Sequence, residues 1–302
     1  MQALHRKVHV RVRPRITFSG ANQDKTPLIP GFNLHLNRTT SMTTTVTTTV
    51  RHGPTESACE VGGWRFSCHK APAMSSAQRE ELVSELGLRP AIPLPEVVFA
   101  DSTLQIDHPA RGLTIHFDAK EALHTWMLDH KQEADQWEPS SFDFTYSTTY
   151  AGTVAQKRCS LKITKTSDTL PLDKLQQQVA ILFYERVLLF EDDIRDLGEI
   201  YVEVRVRVME FGFLLLSRYY CRIDEKQTLK LQDTRYYHEF GDNFVWRDHE
   251  TRESTIGGIK RMLKARYQDE EDTPLHLSGD VVYGLLKPTT TTTEKIHLFA
   301  SS

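Results

Sequence analysis

The 302-residue sequence is poor in cysteine, and its cysteines follow no functional spacing. Cys59, Cys68, Cys159 and Cys221 match no zinc-binding pattern, and nothing in the sequence requires disulfides. This usage is typical of a reduced, intracellular compartment. No apolar run approaches the roughly 18 residues of a membrane-spanning helix. We therefore expect a cytoplasmic protein that could extend to the nucleus and that has no membrane partner.

The common catalytic signatures are also absent, because the sequence contains no GxGxxG, GxxxxGK[ST], GxSxG or HExxH motif. The remaining metal candidates are His116, His124 and His130. His124 and His130 lie six residues apart on a predicted helix and so point to different sides, which disfavours a shared metal. The sequence thus predicts no enzyme, no cofactor and no metal. A metal-dependent enzyme that uses His116, His130 and the acids at 191–193 remains the alternative.

Acidic residues are rare at the start of the chain. Residues 1–52 hold eight Lys or Arg against a single acid, Asp24, so a net charge of −3 leaves −10 on the other 250 residues. An acidic body disfavours nucleic acid as the main partner, although binding through the basic arm remains an alternative. Threonine runs at 39–49 and 289–293 indicate low complexity. We expect disordered segments at 1–60 and 268–302 around a domain at 61–267, and the first segment also has the composition of a transit peptide.

Helix signals are clear at three places. Ser75 with Gln78, and Asp118 with Glu121, form capping boxes that predict helices at 75–86 and 119–130. A third helix is predicted from Thr169 to the residue before Gly198, because apolar residues recur there every three or four positions. Those apolar residues are Leu175, Val179, Phe183, Val187, Phe190, Ile194 and Leu197.

Strand signals outnumber helix signals. Residues 200–208 alternate between apolar positions and Glu203, Arg205 and Arg207, and a second strand follows at 213–223. The charged side of the first strand is either solvated or a partner surface. Shorter strands are predicted at 96–99, 103–106, 113–117, 142–150 and 161–164. We therefore predict an α+β fold of mostly antiparallel β-sheets, with a long packing helix and short peripheral helices.

A series of short blocks occurs in a consistent order along the chain. They read GW at 63–64, LPEVVF at 94–99, DFTYSTTYAGT at 143–153, LLFEDD at 188–193, VRVM at 206–209, FLLLSR at 213–218, RID at 222–224 and DTRYYHE at 233–239. Over about residues 62–256, this ordered set resembles the TIP41-like family. The resemblance implies an α+β fold with antiparallel sheets and a cleft.

The resemblance further implies a non-enzymatic, monomeric regulator that binds the catalytic subunit of type 2A protein phosphatases in TOR-linked nutrient signalling. In yeasts the family also binds a TAP42/alpha4-type protein. Carried over position by position, the phosphatase-contact candidates are Glu121, Leu170, Leu231 and Asp233, with Arg247, Asp248 and His249 as a second cluster.

The sequence departs from the family pattern at four positions. Glu121 stands at an aspartate position and Leu170 at an isoleucine position, so both keep their chemistry. His249 stands where a tyrosine is common, and Asp129 where an aromatic residue is common. We expect Leu170 to be an exposed apolar anchor at the start of the long helix.

Overall fold

Two antiparallel β-sheets make up most of the structure. The computed structural model describes residues 49–85, 94–130, 150–157, 160–171, 174, 179–194, 196–267 and 278–299, without the side chains of 125–130. All of these residues belong to the unit Thr45–Ser302. The predicted α+β class with antiparallel sheets is confirmed.

The first sheet has six strands within the described residues, in the order β1-β2-β3-β5-β6-β7. These are β1 (Thr49–His52), β2 (Glu56–Val61), β3 (Trp64–His69), β5 (Thr103–His108), β6 (Leu113–Asp118) and β7 (Thr153–Gln156). Helix α1 (Ser76–Glu85) follows β3, and helix α2 (Ala119–His130) follows β6.

The second sheet has eight strands within the same residues, in the order β4-β9-β10-β11-β12-β13-β14-β8. Its strands are β4 (Val97–Val98), β8 (Ile163–Thr166), β9 (Ile181–Asp192), β10 (Gly198–Met209), β11 (Gly212–Ile223), β12 (Thr228–Glu239), β13 (Phe244–Thr255) and β14 (Thr290–His297). Helices α3 (Ile256–Tyr267) and α4 (Gly279–Leu285) lie between β13 and β14 in the chain.

The main core lies between the two sheets. Trp64 and Phe66 of β3 pack on Phe213 of β11, with ring centroids 5.0 and 5.2 Å apart. We call the side of the eight-stranded sheet that faces this core its inner face, and the opposite side its outer face. A second, smaller core forms on the outer face, where Leu231 packs with Ile259 of α3 and Val282 of α4.

The first capping box is confirmed, and of the second only the bond from Glu121 to the Asp118 side chain forms, because the Asp118 N–H donates to Tyr150 Oη at 3.1 Å. The Ser75 backbone N–H donates to Gln78 Oε1 at 2.9 Å, and the Gln78 N–H donates to Ser75 Oγ at 3.4 Å. The Glu121 N–H donates to Asp118 Oδ1 at 2.8 Å. Because the first N–H groups of a helix have no partner within it, these bonds fix where α1 and α2 begin.

The predicted long helix is wrong over Ile181–Asp192, which form strand β9. Phe183, Val187 and Leu189 face the core, and so does Glu185, whose carboxylate accepts from Lys70 Nζ at 2.5 Å. This buried acid interrupts the period-two apolar row, and the remaining apolar residues then imitate a helical spacing. Leu175 lies outside the described residues. Gly198 begins β10, where a Cβ would lie 2.1 Å from the Arg222 carbonyl oxygen.

The expected disorder at the two ends also differs from the structure. Thr49–His52 and Glu56–Val61 form β1 and β2, within the segment predicted as an arm. Gly279–Leu285 form α4, and Thr290–His297 form β14 between β13 and β8. The second threonine run is therefore a strand, in keeping with the preference of β-branched residues for sheets. In the described part of the chain, no helix has the length and apolarity to cross a bilayer.

Candidate functional site

Charged residues fill the middle of the outer face, where β9 to β13 lie side by side. Strand register places Glu203 opposite Arg218, Arg218 opposite Asp233, and Asp233 opposite Glu250. The next row continues through Arg235 and Asp248. We call this set the charged belt, and its members are Arg186, Glu203, Arg205, Arg218, Asp233, Arg235, Asp248, Glu250 and Arg252.

The belt is held together by ion pairs between strands. Arg218 donates from Nε and Nη2 to the two carboxylate oxygens of Asp233, at 2.8 and 2.7 Å, and both side chains are buried. Burial alone would lower the pKa of Arg218, but its bonds to Asp233 and the negative charges of Asp233 and Asp280 together raise the pKa. Arg235 Nη2 donates to Asp248 Oδ2 at 2.5 Å. The belt is thus a set of charges paired within the sheet, buried at its centre and exposed at Arg186 on the β9 side.

Glu203 lies at the β9 side of the belt and is 0% exposed. Arg186 Nε donates to its carboxylate at 2.5 Å, and Arg205 pairs with it as well. The side of β10 that carries Glu203 is therefore not a solvated face, because Glu203 is covered by arginines of the same sheet.

Helix α4 rests on the belt through two side chains. Asp280 accepts from Arg205 Nη1 at 2.9 Å and from Arg218 Nη1 at 2.5 Å. The Tyr283 ring lies 4.1 Å from the guanidinium carbon of Arg252, with those of Arg218 and Arg235 at 5.3 and 5.8 Å. Arg235 Nη1 also donates to Tyr283 Oη at 2.6 Å.

Leu170 lies in a segment that two ion pairs fix to the outer face. Lys295 Nζ, which lies 4.5 Å from the centre of the Trp246 ring, donates to Asp168 Oδ2 at 2.6 Å. Lys174 Nζ donates to Glu239 Oε1 at 2.8 Å. Leu170 sits between these two anchors and is only 6% exposed. The expectation that it is an exposed anchor at the start of a long helix is therefore wrong.

The predicted contact residues of the central strands divide between the two faces of the sheet. Leu231, Asp233 and Asp248 belong to the outer face, and the first two are fully buried beneath α4 and α3. Arg247 and His249 alternate with Asp248 and point to the inner side. There His249 Nδ1 lies 2.8 Å from Thr234 Oγ1, and Arg247 donates to Glu294 Oε2 at 2.6 Å.

Burial also governs the titration of His249. It lowers the pKa of this imidazole, and the charge of Arg247 lowers it further.

Glu121 lies apart, at the rim of a groove of about 720 Å³ on the six-stranded sheet side. Burial, and then the charge of Asp118, raise the pKa of Glu121. Tyr150 Oη contacts Glu121 Oε2 at 3.4 Å, and the Tyr150 carbonyl accepts from Ser217 Oγ at 3.0 Å. Through Tyr150 and Ser217, the groove is connected to the inner face of the second sheet.

The groove is acidic, and one of its carboxylates, Asp118, also pairs with a histidine behind it. Its charged lining comes from Glu85, Asp101, Asp118, Lys120, Glu121 and His124. His116 Nε2 lies 3.0 Å from Asp118 Oδ2, and this bond, which outweighs burial, raises the pKa of His116. His116 is therefore engaged by a carboxylate at the end of β6.

Among the described residues of the alternative, enzymatic reading, His116 and the acids at 191 and 192 lie in different sheets. His116 belongs to the six-stranded sheet, the side chain of His130 lies outside the described residues, and Glu191 and Asp192 end β9. Among the described residues, Asp192 and Asp193 do group with Glu96, and their carboxylates lie within 4.8 Å of one another. Asp192 accepts from the Ile194 N–H at 2.7 Å, so this carboxylate also shapes the turn that follows β9.

Sequence reasoning missed the arginine partners and α4. Arg218, Arg235 and Arg252 were separated from their carboxylates by 2 to 15 positions, and Asp280 and Tyr283 fell in the expected tail. The one available signal was the alternation of Glu203 and Arg205 along β10.

Comparison with known proteins gives a consistent result. The profile of the TIP41-like family matches residues 97–260, which include all seven contact candidates. A TIP41-like protein of Homo sapiens is 32% identical over 234 residues, covering 72% of this chain and 84% of the relative. A TIP41-like protein of Dictyostelium discoideum is 31% identical over 284 residues, covering 85% and 98%.

A more distant relative has a more specific name. The Saccharomyces cerevisiae protein named type 2A phosphatase activator TIP41 is 27% identical over 218 residues, covering 62% of this chain and 60% of the relative. The family profile spans more than half of the chain, and the human and Dictyostelium relatives exceed 30% identity over more than two thirds of it. The chain therefore belongs to the TIP41-like family.

Proposed function

We propose that this protein is a non-enzymatic regulator that binds the catalytic subunit of type 2A protein phosphatases and changes their activity. The observation that carries the proposal is the similarity to a relative named type 2A phosphatase activator, within a match that includes every contact candidate. The proposal places the protein in TOR-linked nutrient signalling as a monomer in the cytoplasm. A TAP42/alpha4-type protein is a second proposed partner.

Two regions support a binding role. The outer face carries Leu231, Asp233 and Asp248, with an apolar cluster beside charged pairs. Interfaces commonly place apolar anchors beside such polar groups. Glu121 lies in the second region, the acidic groove, which suits a basic segment of the phosphatase.

Arg247 and His249 take a supporting role in this proposal. Their bonds to Glu294 and Thr234 connect β13 to its neighbouring strands. They therefore act on the contact surface by positioning β13, which carries Asp248 on its other side.

The first test is calorimetry of the full chain with a purified type 2A catalytic subunit at physiological salt. We expect direct binding at micromolar affinity or tighter, on the order of 8 kcal/mol. A dephosphorylation assay in the same buffer then measures whether binding changes activity. Absence of binding without any third protein would contradict the proposal of a direct regulator.

The contact residue to alter is Glu121, because it is half-buried at a groove and not inside the core. We expect Glu121→Lys to weaken binding by about 2 kcal/mol or more, since it reverses the charge presented to a basic segment. Glu81→Lys is the matched control, because Glu81 is an exposed helical glutamate outside the groove. Equal affinities of the two variants would remove Glu121 from the contact surface.

A further inference from the structure

Helix α4 is held on the charged belt in the manner of a bound peptide. Asp280 is shared by Arg205 and Arg218, and the Tyr283 ring is surrounded by three guanidinium groups. Arg252 also donates to the backbone carbonyl of Leu286, just after the helix. The belt thus recognises a carboxylate, an aromatic ring and a backbone carbonyl of a single short segment.

The belt is complete without α4. Arg218 has both oxygens of Asp233, Arg235 has Asp248 and Glu250, Arg252 has Glu250, and Arg205 has Glu203. All of these carboxylates belong to the sheet. The loss of a charged partner is most costly when it leaves a buried charge unpaired. Removal of α4 would not do this, because each of these arginines keeps an anion within the sheet.

Helix α4 depends on its contacts with the belt and with α3, because it is too short to be stable alone. It has seven residues, of which Gly279 and Val282 are buried, and isolated helices this short are marginal in water. The Asp280 side chain is 59% exposed, so solvent screens its ion pairs. The segment also lies outside residues 97–260, which match the family profile.

Beneath α4 lie residues that the proposed function needs at the surface. Val282 packs in one cluster with Leu231, and Asp280 binds the same guanidinium group as Asp233. Leu231 and Asp233 are both 0% exposed while α4 is in place. While α4 is in place a partner cannot reach this part of the outer face, and Leu231 is also covered by Ile259 of α3.

We infer that the charged belt is an interaction surface for the phosphatase catalytic subunit, and that α4 is a cover that occupies it in the free protein. The inference rests on the proposed function and adds a regulatory step to it. Binding then competes with α4, and any change that loosens α4 strengthens binding. The apparent dissociation constant of the partner equals the intrinsic constant divided by the fraction of molecules in which the belt is uncovered. A small uncovered fraction therefore weakens the observed binding.

Gly279 offers a way to release α4 without altering the belt. A Cβ at this position would lie 2.4 Å from Tyr201 Oη and 3.4 Å from the Tyr220 ring. Those two rings stack with centroids 5.0 Å apart, which limits how far either can move. Gly284, in the same helix, has nothing within 4 Å of such a Cβ. Gly279→Leu should therefore displace the helix, and Gly284→Leu is its matched control.

The experiment measures binding of the full-length wild type and both variants to a purified type 2A catalytic subunit by calorimetry. We expect Gly279→Leu to bind about tenfold more tightly than the other two proteins, as for a belt uncovered in about one molecule in ten. Hydrogen exchange of the amides of α4, which donate to carbonyls such as Ser278 O, should be faster in Gly279→Leu than in the wild type or Gly284→Leu. Asp280→Lys, which removes the shared carboxylate, should change affinity and exchange in the same direction.

The possible failures can be told apart. If α4 exchanges faster in Gly279→Leu and Asp280→Lys but neither binds more tightly than wild type, the cover is refuted while the proposed function stands. If no protein binds the catalytic subunit, the proposed function fails and the inference fails with it. If Gly279→Leu is misfolded, Asp280→Lys decides alone, since it changes a side chain that is more than half exposed.

Discussion

Asp233 shows how a residue can matter to function through stability. It is 0% exposed and binds Arg218 through both carboxylate oxygens. Any substitution at Asp233 leaves a buried guanidinium group without its main anion. A loss of phosphatase binding in such a variant would therefore report first on the fold, and only then on contact.

We expect Asp233→Asn to lower the free energy of unfolding by about 3–5 kcal/mol, the range for breaking a buried ion pair. Urea denaturation followed by circular dichroism measures this change. Replacement of both partners, Arg218→Met with Asp233→Leu, should be much less destabilising than the sum of the single variants, because no unpaired charge stays buried.

An exposed pair provides the comparison. Arg65 Nε donates to Glu60 Oε1 at 2.8 Å, with both side chains more than half exposed. Glu60→Gln should cost about 0–1 kcal/mol, since water screens such pairs. If Asp233→Asn were as mild as Glu60→Gln, the belt would not be a buried ionic structure.

At the scale of the element, the sequence predicted the hairpin of β10 and β11 well and β9 badly. Valines alternate with charged residues along β10, and this pattern is visible without any partner strand. In β9, Glu185 occupies a core position where its main cation comes from Lys70, 115 residues away. Local periodicity contains no information about such a distant partner, so the helix-like spacing was misleading.

Strand β14 had the same difficulty for a different reason. Its threonines form a low-complexity run, yet they are β-branched and pair with β13 on one side and β8 on the other. Low complexity describes composition and does not by itself measure strand preference. The partners of Thr293 are Asp248 and Thr166, which the sequence could not place beside it.

We expect Thr293→Pro to destabilise the protein by about 3 kcal/mol or more, because proline removes a ladder hydrogen bond within a strand that is paired on both sides. Thr293 Oγ1 also donates to Asp248 Oδ1 at 2.8 Å. Thr293→Val keeps the strand and removes only this bond, which should cost about 1–3 kcal/mol. Thermal unfolding ranks the two variants, and similar unfolding temperatures for both would argue that β14 contributes little backbone pairing.

For the whole molecule, the class of the fold could be predicted from the sequence, but the distribution of the contact candidates over the two faces of the sheet could not. The family resemblance identified contact candidates by position, and alternation along β13 then divided Asp248 from Arg247 and His249. Which face each belonged to depended on β9 being a strand. Helix α4 supplies Asp280 and Tyr283 to the belt, but it lies in a segment whose composition indicated disorder. The sequence therefore did not predict these contacts.

The two sheets meet at a pair of neutral histidines. His238 of β12 and His108 of β5 both lie 4.8 Å from the Trp64 ring. Burial lowers the pKa of both histidines. The charge of Arg111 lowers the pKa of His108 further. For His238, burial outweighs the bond to the Phe244 carbonyl and the charges of Asp242 and Glu239, which raise the pKa. His116 differs, because its bond to Asp118 raises its pKa.

These shifts predict that the protein loses stability as the pH falls through about 6.5, where histidine in the unfolded chain takes up a proton. A folded-state pKa below that value means that the unfolded chain binds more protons, so acid favours unfolding. His108→Phe should flatten this dependence, because it removes one such group. His116→Gln should steepen it, because a raised folded-state pKa stabilises the protein at low pH and is lost in the variant.

Urea titrations between about pH 7.5 and pH 5.5 measure these slopes. Identical slopes for both variants and the wild type would show that the interface between the sheets does not titrate in this range.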